Sequence, residues 1–284
     1  MTTPSFGPRT MALLLLLLVV SEGRAEPEGT IEVASYNVHG LPSFITGDET
    51  LARLRQISPR LRGLAVVGIQ EDFLDDGHNL LLGEVDQPIR LRFAKKLPNR
   101  LYGSGLTTLA QGKVLAKLEV HFTTFHGLVG SGADGMASKG FQVTRLQLAP
   151  GVELDVYNTH LDAGGSEGDS LARASQVAQI TSAMEGFSAG RAILFLGDTN
   201  LKSKRQRDGT ILKRWFRTTG LRCACAAVRK RCCARIDRVL YRSGVGLRLA
   251  PETWKVEDPR DAAKVPLSDH EPIRVRLRWR REAF

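Results

Sequence analysis

Residues 193–200 read Ile193-Leu194-Phe195-Leu196-Gly197-Asp198-Thr199-Asn200. Four apolar residues, a glycine, then a carboxylate and an amide describe a short buried strand that delivers polar side chains to its end. The same grammar recurs along the chain. Ile31–Tyr36 runs into Asn37-Val38-His39-Gly40, Ala65–Ile69 into Gln70-Glu71, and Val156-Tyr157 into Asn158-Thr159-His160. Ile236 is followed by Asp237 inside another strand-like run, and Ser268-Asp269-His270 precedes the last one. Ligand sites collect at such strand ends, because loops converge there over a rigid sheet.

Working outward, apolar or alternating runs occur at Ile31–Tyr36, Leu64–Ile69, Val114–Phe122, Phe141–Leu148, Leu154–Asn158, Ala192–Leu196, Ile236–Tyr241 and Ile273–Trp279. They are short, rich in β-branched residues and bounded by turn formers, which predicts strands. In the last, Ile273, Val275, Leu277 and Trp279 alternate with Arg274, Arg276, Arg278 and Arg280, a strand with one wet face. Helical spacing appears at Leu51, Leu54, Ile57 and Leu61, with Pro59 ending or kinking the helix, and at Leu171, Val177, Ile180 and Met184 after a cap at Asp169 or Ser170. Many strands, few helices and both periodicities favour an α/β sandwich with sheets packed face to face. Neither a G-x-G-x-x-G opening nor a P-loop is present, which argues against a simple nucleotide-binding fold.

The 284 residues carry 40 Lys and Arg against 30 Asp and Glu, a net charge of +10. An ordinary share of apolar and charged residues excludes wholesale disorder and collagen-like repeats, and the length suffices for a sizeable core. The positive charge points to anionic partners such as nucleic acid, acidic lipid or phosphorylated molecules. It is concentrated in residues 202–238, which hold 13 Lys and Arg against Asp208 and Asp237, so the remainder of the chain is close to neutral. Arg9 precedes the apolar run Met11–Val20, which is followed by small residues at Gly23 and Ala25. This pattern predicts a secretory signal peptide over 1–25, a catalytic domain over 26–284, and a secreted, extracellular or periplasmic location. The run is too short to span a bilayer, so no transmembrane segment is expected in the mature chain. In an exported chain the four cysteines predict disulfides, Cys223 and Cys225 crossing to Cys232 and Cys233 in either order and stapling a local hairpin within a basic insert at 202–235. The C-x-C and C-C spacings do not match a zinc knuckle.

Taken singly, Asp198 and Asn200 read as turn formers, and His160 and His270 as structural histidines. Glu71 directly after a buried run needs a cation or donors nearby. Together these carboxylates, amides and histidines suit the holding of a hard divalent cation and acid/base chemistry on a phosphate.

Ser35-Tyr36-Asn37, Gln70-Glu71, Asn158-Thr159-His160, Gly197-Asp198-Thr199-Asn200, Ile236-Asp237 and Ser268-Asp269-His270 resemble, in order, the motifs of the endonuclease/exonuclease/phosphatase superfamily. That group includes deoxyribonuclease I, the apurinic endonucleases, the inositol polyphosphate 5-phosphatases and the neutral sphingomyelinases. The likeness covers Ile31 to Trp279 and implies a four-layer α/β sandwich with two mixed β-sheets flanked by helices. It implies that Glu71 binds Mg2+ (or Mn2+), with Asn37 holding the metal or the phosphate and Asp269 beside the metal. His160 would hydrogen-bond phosphoryl oxygens. Asp198 and Asn200 would orient the water and the phosphate. His270 would act as general base or acid with its tautomer fixed by Asp237. The resemblance leaves open whether Asp198 or His270 activates the water; His270 is favoured, because an Asp partner raises its basicity toward working pH.

Two features resemble the sphingomyelinase branch: Ser138-Lys139-Gly140-Phe141, in which Lys139 would meet the substrate phosphate, and Asn158–Ala163 followed by Arg173 and Gln176. The expected activity is hydrolysis of a phospholipid phosphodiester by a monomer in peripheral contact with an acidic membrane surface. The basic stretch keeps a nuclease acting on DNA or RNA as the alternative. The adjacent pair Trp215-Phe216 is expected in the core rather than as a membrane wedge. The intact motif set argues against an inactive binding module or toxin subunit.

Overall fold

A computed structural model of the chain describes residues 1, 27–127, 133–230 and 234–282. Residues 2–25 of the expected leader lie outside the described residues, and so do Cys232 and Cys233, on which the cysteine pairing depends.

Among the described residues two six-stranded sheets form. The first contains β1 (Glu28–Asn37), β2 (Val66–Gln70), β3 (Ile89–Phe93), β4 (Leu106–Ala110), β11 (Leu247–Val256) and β12 (Ile273–Arg281) in the order β11-β12-β1-β2-β4-β3. The second contains β5 (Lys113–His121), β6 (Gly140–Ala149), β7 (Val152–His160), β8 (Ile193–Asp198), β9 (Arg222–Cys223) and β10 (Asp237–Arg242) in the order β5-β6-β7-β8-β10-β9. Each sheet is antiparallel apart from one parallel pair near its middle, β1 with β2 and β7 with β8.

Alternate residues of single strands feed different layers. On β8, Leu194 and Leu196 face the core between the sheets, where they join Val33, Val66 and Val275. Ile193 and Phe195 face the other way, against α4 (Glu167–Gly186) and α5 (Gln206–Thr219) through Ile180, Met184, Leu212 and Trp215. On the outer face of the first sheet, Ala34, Tyr36, Val67 and Ile69 pack on Leu54, Ile57 and Leu81 from α2 (Thr50–Ile57) and α3 (Asp75–Leu81). Central strands buried on both faces read as unbroken apolar runs for this reason. Helices, sheet, sheet and helices give the expected four layers.

All eight expected strands form. Helix α2 stops at Ile57, and Pro59 opens a one-turn 3-10 segment over Ser58–Leu61. Helix α4 begins earlier than expected, because Ser166 is its cap. The Ser166 hydroxyl accepts the Asp169 N–H while the Asp169 carboxylate accepts the Ser166 N–H. Within the basic insert at 202–235 the described residues build α5, the short edge strand β9 and α6 (Ala224–Arg229), while the expected staple of this stretch rests on Cys232 and Cys233, outside the described residues. Trp215 is fully buried against Phe195, with ring centroids 5.1 Å apart, and Phe216 packs beside it, so the pair belongs to the core.

Candidate active site

Parallel pairing brings the C-terminal ends of β1 and β2 side by side, with Asn37 opposite Gln70, and those of β7 and β8, with His160 opposite Asp198. Antiparallel β10 starts at the same edge, with Asp237 opposite Asp198. Buried amides tie the two sheets together here. Gln70 Nε2 donates to Asn158 Oδ1 at 2.8 Å, and Asn158 Nδ2 donates to the carbonyls of Ile69 (3.1 Å) and Thr107 (3.0 Å). The strands then stop abruptly. His39, Glu71 and Asn200 take left-handed conformations (φ 49°, 60° and 49°), a strain that packing must hold in place. At Gly40 a Cβ would lie 2.4 Å from the Glu71 carbonyl oxygen, so only glycine lets the loop after β1 approach the end of β2.

Seven of the sequence-predicted residues line one pocket of about 260 Å3: Glu71, Lys139, His160, Asp198, Asn200, Asp269 and His270. The other two, Asn37 and Asp237, stand directly behind it. Asn37 Nδ2 donates to Glu71 Oε1 (2.8 Å) and Asp198 Oδ2 (3.3 Å), joining the first sheet to the second. The Asn200 N–H donates to Asp198 Oδ1 at 3.0 Å. Asp237 holds His270 Nδ1 at 2.9 and 3.0 Å, which turns Nε2 toward Asp198 Oδ2, 3.7 Å away. Lys139 Nζ donates to the Leu161 carbonyl (2.8 Å) and lies 3.3 Å from His160 Nε2, and Asn200 Nδ2 approaches the same nitrogen at 3.3 Å.

The electrostatics follow from this crowding. Burial, then the like charge of Asp237, push Asp198 up to about 6. Burial works against a charged His270, but the hydrogen bond and charge of Asp237, with Asp198 and Asp269, outweigh it and raise His270 to about 9. His160 is driven well below the ordinary histidine value by burial and by the neighbouring Lys139 and His270. It is therefore neutral, with its Nε2 facing two donors.

The donor set suits a hard divalent cation. Glu71, Asp198 and Asp269 present carboxylate oxygens to one cavity. Glu71 leads this set, since one of its oxygens is steadied by Asn37 and its carboxylate remains partly open to the pocket. Ligand atoms of Asp198, Asp237 and His270 also lie within 4.8 Å of one another. Asp237 is already engaged with His270 Nδ1, and a histidine nitrogen suits Mg2+ less well than oxygen, so that trio fits the cation less well than the carboxylates in the cavity.

Several residues of the site were not anticipated. Ser268 Oγ donates to the Asn37 carbonyl (2.7 Å) and accepts the His270 N–H (3.1 Å), locking the loop before β12 onto β1. Buried Arg53 donates to the carbonyls of Val38, His39 and Leu267, clamping the same two loops. His39 Nδ1 lies 3.4 Å from Asp269 Oδ1. Phe73 and Tyr102 form one wall of the pocket. For Arg53 the only sequence signal was a cation on the apolar face of a helix.

No protein-family model matches the chain. The sphingomyelinase of Mycobacterium bovis is 28% identical over 272 residues, covering 87% of this chain and 52% of its own length. The chain thus spans about half the length of the curated relatives it matches. Among solved structures, sphingomyelinase C from Streptomyces griseocarneus superposes with a TM-score of 0.66 at 19% identity, covering 87% of this chain and 99% of that one. A beta-toxin variant from Staphylococcus aureus, determined with bound magnesium ions, superposes with a TM-score of 0.66 at 16% identity and the same coverage. The fold is the DNase I-like α/β sandwich of these neighbours.

Proposed function

We propose that this chain is an exported, metal-dependent phosphodiesterase that cleaves a phospholipid of the sphingomyelin type by direct attack of water. The observation that carries the reading is the meeting, in one pocket, of Glu71, His160, Asp198, Asn200 and His270, with Asp237 holding His270 from behind. The likeness to sphingomyelinases directs it toward phospholipid. Among the described residues no helix is long and apolar enough to cross a membrane.

Glu71, steadied by Asn37 and accompanied by Asp269, would hold Mg2+, or Mn2+ in its place. The cation, when bound, neutralises charge growing on the phosphoryl and leaving oxygens. Lys139 and Asn200, which donate to the Leu161 carbonyl and approach His160 Nε2, would turn to the phosphoryl oxygens when substrate enters. His160, neutral and accepting, keeps those two donors aligned. Asp198 and His270 lie 3.7 Å apart and so act on the same partner. In-line displacement places the entering and leaving oxygens on opposite sides of phosphorus, which assigns this pair to the water alone. Near neutral pH the pair holds one proton, since Asp198 stands at about 6 and His270 at about 9. In that state the proton sits on His270, so Asp198 is the member free to take the water's proton, while the charged ring, aimed by Asp237, offsets the negative charge of the entering oxygen.

The test is a substrate panel. Purified protein is incubated with sphingomyelin vesicles, plasmid DNA, RNA and inositol phosphates, each with Mg2+ and with EDTA. Metal-dependent release of the phosphorylated headgroup from sphingomyelin is the expected result. Nicking of plasmid without lipid cleavage would replace the phospholipid reading with a nuclease one.

A further inference from the structure

Beside the catalytic pocket, and sharing His270 and Asp269 with it, lies a second hollow of about 540 Å3, which Asp237 also lines. Its far wall is Lys202, Ser203, Lys204, Arg205 and Arg235. Arg235 is paired with Glu271 at 2.7 Å. Among the described residues no carboxylate pairs with the side chains of Lys202, Lys204 or Arg205; the Arg205 guanidinium donates to the Gly164 carbonyl. These cations lead into the N-terminus of α5, where the helix dipole disfavours positive charge, so folding gains nothing from placing them there.

The wall is also held in place. Buried Asp208 accepts the Lys202 N–H (3.1 Å) and an Arg173 N–H (3.0 Å). Buried Arg173 in turn donates to the carbonyls of Asp162 and Ala163, just past His160. The cationic loop and the catalytic strand end are thus fixed to each other from beneath.

A zwitterionic headgroup cleaved in the neighbouring pocket would not send its own quaternary ammonium among these cations. We propose that the hollow seats the phosphate of a second, anionic phospholipid lying next to the substrate, so that the protein works preferentially on acidic membrane surfaces. This rests on the phospholipid reading above. Lipid is favoured over a polynucleotide by the rest of the rim. Phe44 is 85% exposed and stands with Ile45 just past the pocket-lining Leu41, while Leu101, 64% exposed, adjoins the pocket-lining Tyr102. Exposed apolar side chains next in sequence to pocket-lining residues, together with a cationic loop beside the same pocket, suit an acidic bilayer.

The experiment measures vesicle sedimentation in EDTA, which separates binding from hydrolysis. Vesicles are neutral phosphatidylcholine with sphingomyelin, or the same with roughly one-third phosphatidylserine. Wild type is expected to prefer the acidic vesicles. Lys202→Gln/Lys204→Gln/Arg205→Gln should lose on the order of a hundredfold in that binding, and the double lysine variant, which leaves the Arg205 contact intact, on the order of thirtyfold. Hydrolysis of a monomeric short-chain substrate should be unchanged in both. Equal binding of wild type and variants to acidic vesicles overturns the proposal. So does displacement of wild type by millimolar inorganic phosphate, which would assign the hollow to soluble phosphate, or a loss of DNA binding with vesicle binding intact. Absence of phospholipid cleavage alongside charge-selective binding would instead overturn the reading of the catalytic pocket.

Discussion

Replacing Asp237 by Asn keeps a hydrogen-bond acceptor for His270 Nδ1 while removing the negative charge. In the native site His270 stands at about 9, against about 6.5 for an ordinary histidine, a preference for the charged ring worth about 3 kcal/mol. Burial opposes that charge, so the carboxylate of Asp237 supplies most of the preference, with Asp198 and Asp269 adding less. Without it the ring should titrate near the ordinary value, about 6.5. The sign for activity follows. Native rates should climb as pH rises through about 6, where Asp198 loses its proton, and fall as His270 loses its own near 9. In Asp237→Asn the falling limb should move toward about pH 6.5, and the rising limb should also move down, because Asp198 is relieved of a like charge. The rate should drop about fourfold at pH 7 and about thirtyfold at pH 8. The assay pairs a pH profile of kcat/KM with an NMR titration of the imidazole in metal-free protein. A His270 that still titrates near 9 in the variant, or a falling limb that does not move, would refute the reasoning.

Other consequences follow from single contacts. Asn158→Ala removes a buried amide that satisfies two carbonyls and Gln70, and should cost about 2–4 kcal/mol in urea unfolding, with the site loosened as the sheets part. Asp208→Asn leaves buried Arg173 uncompensated and should cost about 3–5 kcal/mol, read by the same unfolding curves. Gly40→Ala places a methyl 2.4 Å from a backbone oxygen of Glu71, so weakened Mg2+ binding measured by calorimetry should accompany any loss of stability. Unchanged metal affinity would mean that the Glu71 turn tolerates movement.

The site was legible because its residues sit at strand ends, where buried apolar runs give way to single polar letters. The run 193–200 and the edge at Gln70-Glu71 carried both the fold and the chemistry. Strand β3 was also readable, since Ile89, Leu91 and Phe93 alternate with arginines, but it was passed over. Strand β4 hides its character, because Thr107 and Thr108 break the apolar run and are buried all the same. Strand β11 carries Pro251 and a bulge before Thr253, features that local rules assign to loops and that an edge strand tolerates. In α5 the density of Lys and Arg drew attention from Leu212, Trp215 and Thr219, which recur on the face that enters the core. Arg53 and Ser268 were beyond reach, because their roles depend on loops far apart in sequence meeting at one point.

The most direct test of the central claim is the hydrolysis of sphingomyelin vesicles by wild type, His270→Ala and Glu71→Gln, each with saturating Mg2+ and with EDTA, on protein whose fold is verified by circular dichroism. Hydrolysis that requires Mg2+ in wild type, and that falls by on the order of a thousandfold in both folded variants, is the predicted result. Full activity in either variant, or hydrolysis undiminished in EDTA, would contradict the account.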